Sequence, residues 1–522
     1  MTLAPRSPAG AAETGAASDL EFPCATLLAP MKEISAQPAP LPTSRDAVPR
    51  GAPEPRSTLN KAAWKGSTIT LIGQGVGSVI RFGSNLIITR LLLPEHFGLM
   101  ALVSTFLLGV ALFSDTGVGP NIIQNPKGEE PFFFNTAWTV QAIRGVFLWV
   151  VVCLLAWPLS RIYHQPQLLT LLPVAGLTAL FGGLESTRTF ILNRRLSFLA
   201  ITSLELATHV VNVAVMIGLA VAWRSVWVLV LSGVLSTLVR TILSHTVLPG
   251  QRNRFAWDPA AGRALFEFGR WIFVSTALTF LATQSDRLIL GKLVSVAELG
   301  FYSLAAGLAA VPLQIVQGVG ARVLFPVVAT AMRQADHDPT SIRTKRTNLL
   351  LAMAPLMARG VALSPALVQL MYRPNFHPVG MLASYLCIGT WLTMVSTSYG
   401  IVLLAGARPK YMSLGQLVKV ILLVGPAWIA ATRFGAAGVA VVVSLSELGL
   451  IAVSMVGCRR FKVVSVGWDL GITLTGAALV GIFLLLHSFF LRLTGIPVVA
   501  LAMVSVIGLG CVAGIAKKVR LI

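Results

Sequence analysis

From Thr68 onward the sequence is an almost unbroken series of apolar stretches, each about 20 residues or longer, which is the length needed to cross a bilayer. A backbone in hydrocarbon has no water to bond, so each crossing must satisfy its own N–H and C=O groups as a helix. Fourteen such stretches fall near 68–92, 97–119, 136–158, 168–190, 201–223, 225–247, 266–290, 299–330, 348–371, 379–405, 414–432, 437–457, 470–491 and 496–516. The fifth and sixth, and the eleventh and twelfth, are separated by very short turns, which predicts antiparallel hairpins. With 55% apolar and only 12% charged residues, the chain is no ordinary soluble multidomain protein. The expected fold class is an all-α integral membrane protein with about 14 transmembrane helices.

The net charge of +21 does not point to nucleic acid, because the cations sit in short loops between apolar stretches. With the amino terminus placed in the cytoplasm, the inner loops hold fifteen cations: Lys127, Arg194, Arg195, Arg252, Arg254, Arg263, Arg333, Arg343, Lys345, Arg346, Arg408, Lys410, Arg459, Arg460 and Lys462. The outer turns hold six: Arg161, Arg224, Lys292, Arg373, Arg433 and Arg492. The excess predicts an even number of spans with both termini cytoplasmic. Residues 1–60 carry ten of the 29 prolines and no basic start followed by an apolar core, so they read as a disordered cytoplasmic tail rather than a cleaved signal. Five scattered cysteines and seven histidines without ligand spacing imply no disulfide framework, no metal site and no cofactor.

One cassette occurs twice, about two hundred residues apart. The first copy reads Ile88-Thr-Arg-Leu-Leu-Leu-Pro-Glu95-His-Phe-Gly98 and descends to Ser114-Asp-Thr-Gly117. The second reads Asp286-Arg-Leu-Ile-Leu-Gly291-Lys and continues through Glu298-Leu-Gly300-Phe-Tyr-Ser303. In both, a span ends, a short turn carries Glu and then Gly, and the next span begins. Duplication of a helix set suggests a transporter. The expected organisation is an amino-terminal six-helix lobe (61–247), a cytoplasmic inter-lobe loop (248–265), a second six-helix lobe (266–458) and an extra pair of helices (470–516).

Charged and polar side chains inside spans require a wet or protein-lined surface, since a charge at mid-bilayer costs about 2.5–3.5 kcal/mol on insertion scales. On the first span Gln74, Ser78, Arg81 and Asn85 share one helix face, with Arg81 near mid-depth. On the seventh span, its counterpart in the repeat, Ser275, Thr279, Thr283 and Asp286 do the same. Two such stripes are what a central aqueous cavity requires; hydrogen bonding between helices is the alternative for the Ser and Thr members. Gln314 and Gln317 share a face of the eighth span beyond Pro312, and Arg359 lies at a depth similar to Arg81 in apolar surroundings, where a structural ion pair is equally compatible. Arg144, Arg188, Arg240 and Arg270 lie nearer the cytoplasmic ends and are expected to snorkel.

The buried acids Asp115, Glu185, Glu205, Asp286 and Glu447 could be paired, protonated or used for ion coupling. Pairing of Glu205 with Arg144 or Arg240, and neutralisation of Asp286 by Arg287, are the structural alternatives. Glu447, deep and without an obvious partner, is the preferred protonation site, with Asp115 and Glu205 as further coupling candidates and H+ or Na+ as the ion.

The two cassettes, in their order and spacing, resemble the polysaccharide and O-antigen flippases of the multidrug/oligosaccharidyl-lipid/polysaccharide exporter superfamily over roughly residues 65–460. The resemblance implies a V-shaped, non-enzymatic transporter of two lobes that open alternately to each side. It would carry a polyprenyl-pyrophosphate-linked oligosaccharide unit across a bacterial inner membrane, working beside a polysaccharide polymerase and chain-length proteins. On that reading Arg81 balances the pyrophosphate and the polar stripes bond sugar hydroxyls. Relatives in the lipid II branch also place cavity arginines on the first helix; Arg322 sits too near the cytoplasmic end to join Arg81, and the first span here has only one deep arginine, which favours the polysaccharide branch. A drug/cation antiporter of the same superfamily is the alternative. A membrane polymerase or ligase is disfavoured because every predicted outer loop is short.

Overall fold

A computed structural model of the chain describes residues 56–522 apart from 115–116, 196, 321–323, 334–338 and 520–522; the side chains of 56–72, 74, 260, 264–275, 315, 319, 331, 333, 509 and 512–519 also lie outside the described set. Residues 1–55 of the tail predicted over 1–60, Asp115, Arg322, and the side chains of Gln74, Arg270 and Ser275 therefore fall outside it, while 56–60 belong to the first helix. The helices are α1 (Arg56–Leu91), α2 (Pro94–Phe113), α3 (Val118–Gln124), α4 (Pro131–Ile162), α5 (Leu168–Gly183), α6 (Arg188–Arg194), α7 (Phe198–Ala222) and α8 (Trp227–Thr246). They continue as α9 (Pro259–Leu293), α10 (Val296–Val319), α11 (Phe325–Arg333), α12 (Pro339–Met371), α13 (Pro378–Ala405), α14 (Lys410–Cys458), α15 (Val466–Thr494) and α16 (Pro497–Val519). Among the described residues there is no strand, and nine helices are long and apolar enough to cross a membrane, or ten if the α5–α6 pair, bent by 55°, counts as one.

Proline at the first position opens α2, α4, α13 and α16, where its missing N–H costs nothing. Inside α14, Gly435 takes φ 60°, ψ −147°, and the chain doubles back. Gly415 lies against Leu450, Lys419 bonds Glu447, and Gly449 lies against Val418 and Leu422, so the two arms run antiparallel, as predicted for the eleventh and twelfth spans.

Helix pairing repeats itself along the chain. α1 packs on α7, α7 on α8, α8 on α5 and α5 on α4; in the second half α9 packs on α14, α14 on α13 and α13 on α12. The halves meet through α2, which packs along both α9 and α10. The pair that would complete the repeat, α1 with α10, shows no comparable packing among the described residues.

The ends carrying residues 92–93, 294–295, 372–377 and 435 form the turn side of the molecule; the opposite, loop side carries 125–130, 247–258 and 459–465. At the turn side the two cassettes meet each other. A Cβ on Gly98 would overlap Val296 O and sit 2.8 Å from Val296 C; one on Gly300 would overlap Pro94 O and sit 3.0 Å from Pro94 C. Phe376 stacks edge-on against Phe97 (5.9 Å) and Phe301 (6.2 Å), with Tyr372 alongside, and all lie in or against one hydrophobic core that spans both halves. The cassette turn is thus a dry plug.

The last two helices rest on α12. Arg346, wholly buried, pairs with Asp469 at 2.5 Å, stacks over the Tyr399 ring at 4.0 Å and donates to Ser398 Oγ at 3.3 Å, while Tyr399 donates its hydroxyl to Asp469. Arg346 is therefore a structural cation, not the loop charge that the orientation count made it; the helix register buries it against α15.

Candidate functional site

On the loop side of the plug lies a polar cavity of about 560 Å³, lined by Gly73, Gly77 and Arg81 of α1, Glu205 and His209 of α7, Arg240 of α8, and Gln314, Gln317 and Gly318 of α10. The absence of a side chain at Gly77 makes room for His209, whose Cδ2 would stand 3.3 Å from a Cβ there. Arg81 Nη2 donates to Ser78 Oγ at 3.3 Å and, across the sparsely packed α1–α10 seam, to Gln314 Oε1 at 3.4 Å. Arg240 is held from below by both oxygens of Glu185, at 3.0 and 3.1 Å. Glu205 makes no ion pair among the described residues. The wall therefore carries two guanidiniums, an imidazole, a carboxylate and two amides.

On the other face of the same seam is a second cavity, an apolar groove of about 590 Å³. Its walls include Ser78, Val79 and Phe82 of α1, Leu308 and Val311 of α10, Arg359 and Leu367 of α12, and Leu501 of α16. Ser78 belongs to this groove while hydrogen bonding to Arg81 of the polar cavity. Polar and apolar spaces thus adjoin along α1.

Arg81, Gln314 and Gln317, expected to converge, do so. Asn85 lies a turn nearer the plug and lines neither cavity. Of the α9 stripe, Thr279, Thr283 and Asp286 line neither cavity. α9 is packed against α2 and α14; Thr283 returns its hydroxyl to Thr279 O at 2.7 Å, and Asp286 accepts from Tyr302 Oη at 2.5 Å and from the Arg287 backbone at 2.8 Å. The alternative of an Asp286–Arg287 pair is not formed by the guanidinium, which donates to Gln284 Oε1 at 2.9 Å. Thr279 is exposed but outside the polar cavity, and Arg359 faces the groove instead.

The acids divide differently from expectation. Glu447 is not partnerless: Lys419 of the facing arm of α14 donates to it at 2.5 Å, while Oε2 has no partner among the described residues. Neither suggested cation pairs with Glu205. Arg240 takes Glu185, and Arg144 donates to Ser114 Oγ at 3.0 Å and Ala111 O at 2.8 Å, capping the end of α2. Arg188 does not snorkel; it is buried and donates to Gln251 O, His245 O and Leu248 O. His209 and Lys419 were missed, although an imidazole on the face of α7 four residues from Glu205, and a lysine inside an apolar span, were both visible. Among the described residues no cluster of metal-ligating side chains occurs.

Fold and site define a polytopic helical membrane protein whose two repeated helix sets enclose a polar cavity. Residues 87–379, more than half of the chain, match the family described as polysaccharide biosynthesis protein, and the chain belongs to that family. It is 26% identical over 314 residues to the amylovoran biosynthesis protein AmsL of Erwinia amylovora, covering 56% of this chain and 77% of AmsL. It is 24% identical over 396 residues to the lipopolysaccharide biosynthesis protein WzxC of Escherichia coli (strain K12), covering 73% and 77%. Among solved structures it resembles the lipid II flippase MurJ in an inward closed conformation, with TM-score 0.65 and 11% identity over 86% of this chain and 99% of that one. That likeness is one of fold.

Proposed function

We propose that the protein is a flippase that moves a polyprenyl-pyrophosphate-linked oligosaccharide unit across the bacterial inner membrane for surface polysaccharide synthesis. The carrying observation is the pair of adjoining cavities, with Arg81 and Gln314 facing each other across the sparsely packed seam. A sugar–pyrophosphate headgroup cannot cross hydrocarbon unaided. In the polar cavity the Arg81 guanidinium meets the diphosphate, and Gln314, Gln317 and His209 meet sugar hydroxyls. The lipid chain stays outside, beside the seam. On this reading the loop side faces the cytoplasm with both termini, and the plug closes the outer exit while cargo loads. The protein performs no bond chemistry, and a polymerase with chain-length proteins would take the delivered unit.

An ion gradient of H+ or Na+ supplies the driving force in this scheme. Glu205 is the best placed acid for it, since it faces the cavity beside His209 and has no ion-pair partner among the described residues. The same acid in the amino-terminal half is what a drug/cation antiporter would use, so efflux assays are needed as well. The primary test is transport of a fluorescent lipid-linked oligosaccharide in proteoliposomes. Arg81→Ala should abolish it and Arg81→Lys retain part, at equal protein levels. Equal activity of both variants removes Arg81 from the site, and drug efflux without glycolipid transport overturns the flippase.

A further inference from the structure

Arg359 is an odd occupant of an apolar groove. Its guanidinium is half-buried, makes a single hydrogen bond, Nη1 to Ser505 O at 3.3 Å, and has no carboxylate within ion-pair distance among the described residues. The arginine stem runs along α16, where Gly508 leaves space for it: a Cβ there would lie 3.3 Å from Arg359 Cδ. The groove around the head is walled by Leu308, Val311, Leu363, Leu367 and Leu501. Other deep charges have partners built for them, as Lys419 has Glu447 and Arg346 has Asp469. A guanidinium kept in hydrocarbon without an anion costs free energy, so its usual explanation is an anion that comes and goes.

We infer that Arg359 is a second phosphate contact for the transported glycolipid, reached from the groove while Arg81 is reached from the cavity. This rests on the flippase reading. Depth selects the anion. Arg359 is twelve residues from the turn-side end of α12 and Arg81 ten from that of α1, about 18 and 15 Å at 1.5 Å per residue. Both depths are near the centre of a hydrocarbon layer roughly 30 Å thick. A resident phospholipid keeps its phosphate at the surface, about 15 Å away. The diphosphate of a polyprenyl carrier, drawn in by Arg81 in the cavity, is the anionic group brought to that depth with its own apolar chain attached. Ser78, which lines the groove and accepts a hydrogen bond from Arg81 of the cavity, marks the crossing point. The two phosphates then face one arginine on each side of the seam, and the chain occupies the groove.

The test is native mass spectrometry of the full-length protein with undecaprenyl diphosphate, undecaprenol and phosphatidylglycerol as separate probes. Arg359→Gln should weaken undecaprenyl diphosphate binding about tenfold, the scale of one lost charge-assisted contact, and leave undecaprenol unchanged. Arg359→Lys should retain most of the binding. Val311→Trp, which fills the groove from an exposed wall position, should weaken both polyprenyl probes together, and this arm stands even if Arg359→Gln fails to fold. Unchanged diphosphate binding in Arg359→Gln, with a loss in Arg81→Gln, overturns this inference while leaving the flippase intact. Phosphatidylglycerol displacing the diphosphate equally well also overturns it, making the groove a phospholipid seat. No binding of undecaprenyl diphosphate by the wild type overturns the flippase reading and this inference with it.

Discussion

Replacing Lys419 by Met should destabilise the protein far more than replacing Lys419 and Glu447 together. The pair spans the two arms of α14 at 2.5 Å, with side chains only 10% and 3% exposed. At that separation and an effective dielectric of about 20 the attraction is about 7 kcal/mol. Removing each ion from water costs several kcal/mol, so attraction and desolvation nearly cancel and the intact pair contributes little net stability. Glu447 Oε2 has no hydrogen-bond partner among the described residues, so no spare contacts there improve that balance. Lys419→Met removes the attraction and leaves the carboxylate buried, at a cost of about 3–5 kcal/mol. The double variant Lys419→Met/Glu447→Leu removes both penalties and should return to within about 1 kcal/mol of the parent. Unfolding in mixed micelles titrated with SDS, followed by tryptophan fluorescence, measures each corner of the cycle. Single variants as stable as the parent, or a double variant that loses as much as the single, would refute the reasoning. Glycolipid transport by the double variant separates roles: retained transport makes the pair structural, and lost transport with intact stability restores Glu447 as a coupling site.

Three further outcomes follow from the packing. Gly300→Ala should part the two cassette turns, because its Cβ overlaps Pro94 O; overpacking of about 1–3 kcal/mol shifts the closed and open forms by about 5–150-fold. An impermeant maleimide added from the turn side should then label Gln314→Cys in a cysteine-free background faster, and unchanged labelling would show that the plug is not the barrier. Asp469→Asn should strand the wholly buried Arg346 and speed hydrogen exchange in α15 while sparing α4; uniform loosening would mean the latch is not local. Glu129, in the loop before α4, is held below the usual carboxylate range by the hydrogen bond from Arg195, with the charge of Arg194 adding to it. Since the folded value is depressed, this contribution is present above the ordinary glutamate range and lost on acidification. Glu129→Gln should cost less than about 1 kcal/mol at neutral pH and nothing in high salt, and a larger loss would reveal a partner beyond the arginines.

The helical membrane class was legible because apolar length and the need to satisfy backbone groups leave one solution. The Arg81 face was legible for a related reason: its polar neighbours recur at helical spacing on a face that has to be wet. That signal misled on α9, where Thr283 satisfies itself on its own backbone and Asp286 is taken by Tyr302, so polar periodicity there reflects internal bonding. The Glu185–Arg240 and Lys419–Glu447 pairs join residues 55 and 28 positions apart. Their register depends on how a bent span and a hairpin settle, which no local pattern encodes. Arg359 is surrounded by apolar residues on every side of its helix, so periodicity could not orient it; the packing of α16 did.

The reciprocal contact at the cassette turns has a consequence of ancestry. Pro94 and Val296 occupy equivalent positions in the two copies, as do Gly98 and Gly300, and each glycine receives the other copy's carbonyl. A contact that exchanges its partners under a half-turn lies on the axis relating the halves, and the same surface serves both sides. A half-length chain carrying one such turn would dock onto a second copy of itself there, with no new interface to invent. Fusion of two genes would then only have tethered an existing pair. Freed from identity, the halves could diverge elsewhere, one setting its mid-depth arginine on α1 and the other on α12, while the turn kept its two-fold form.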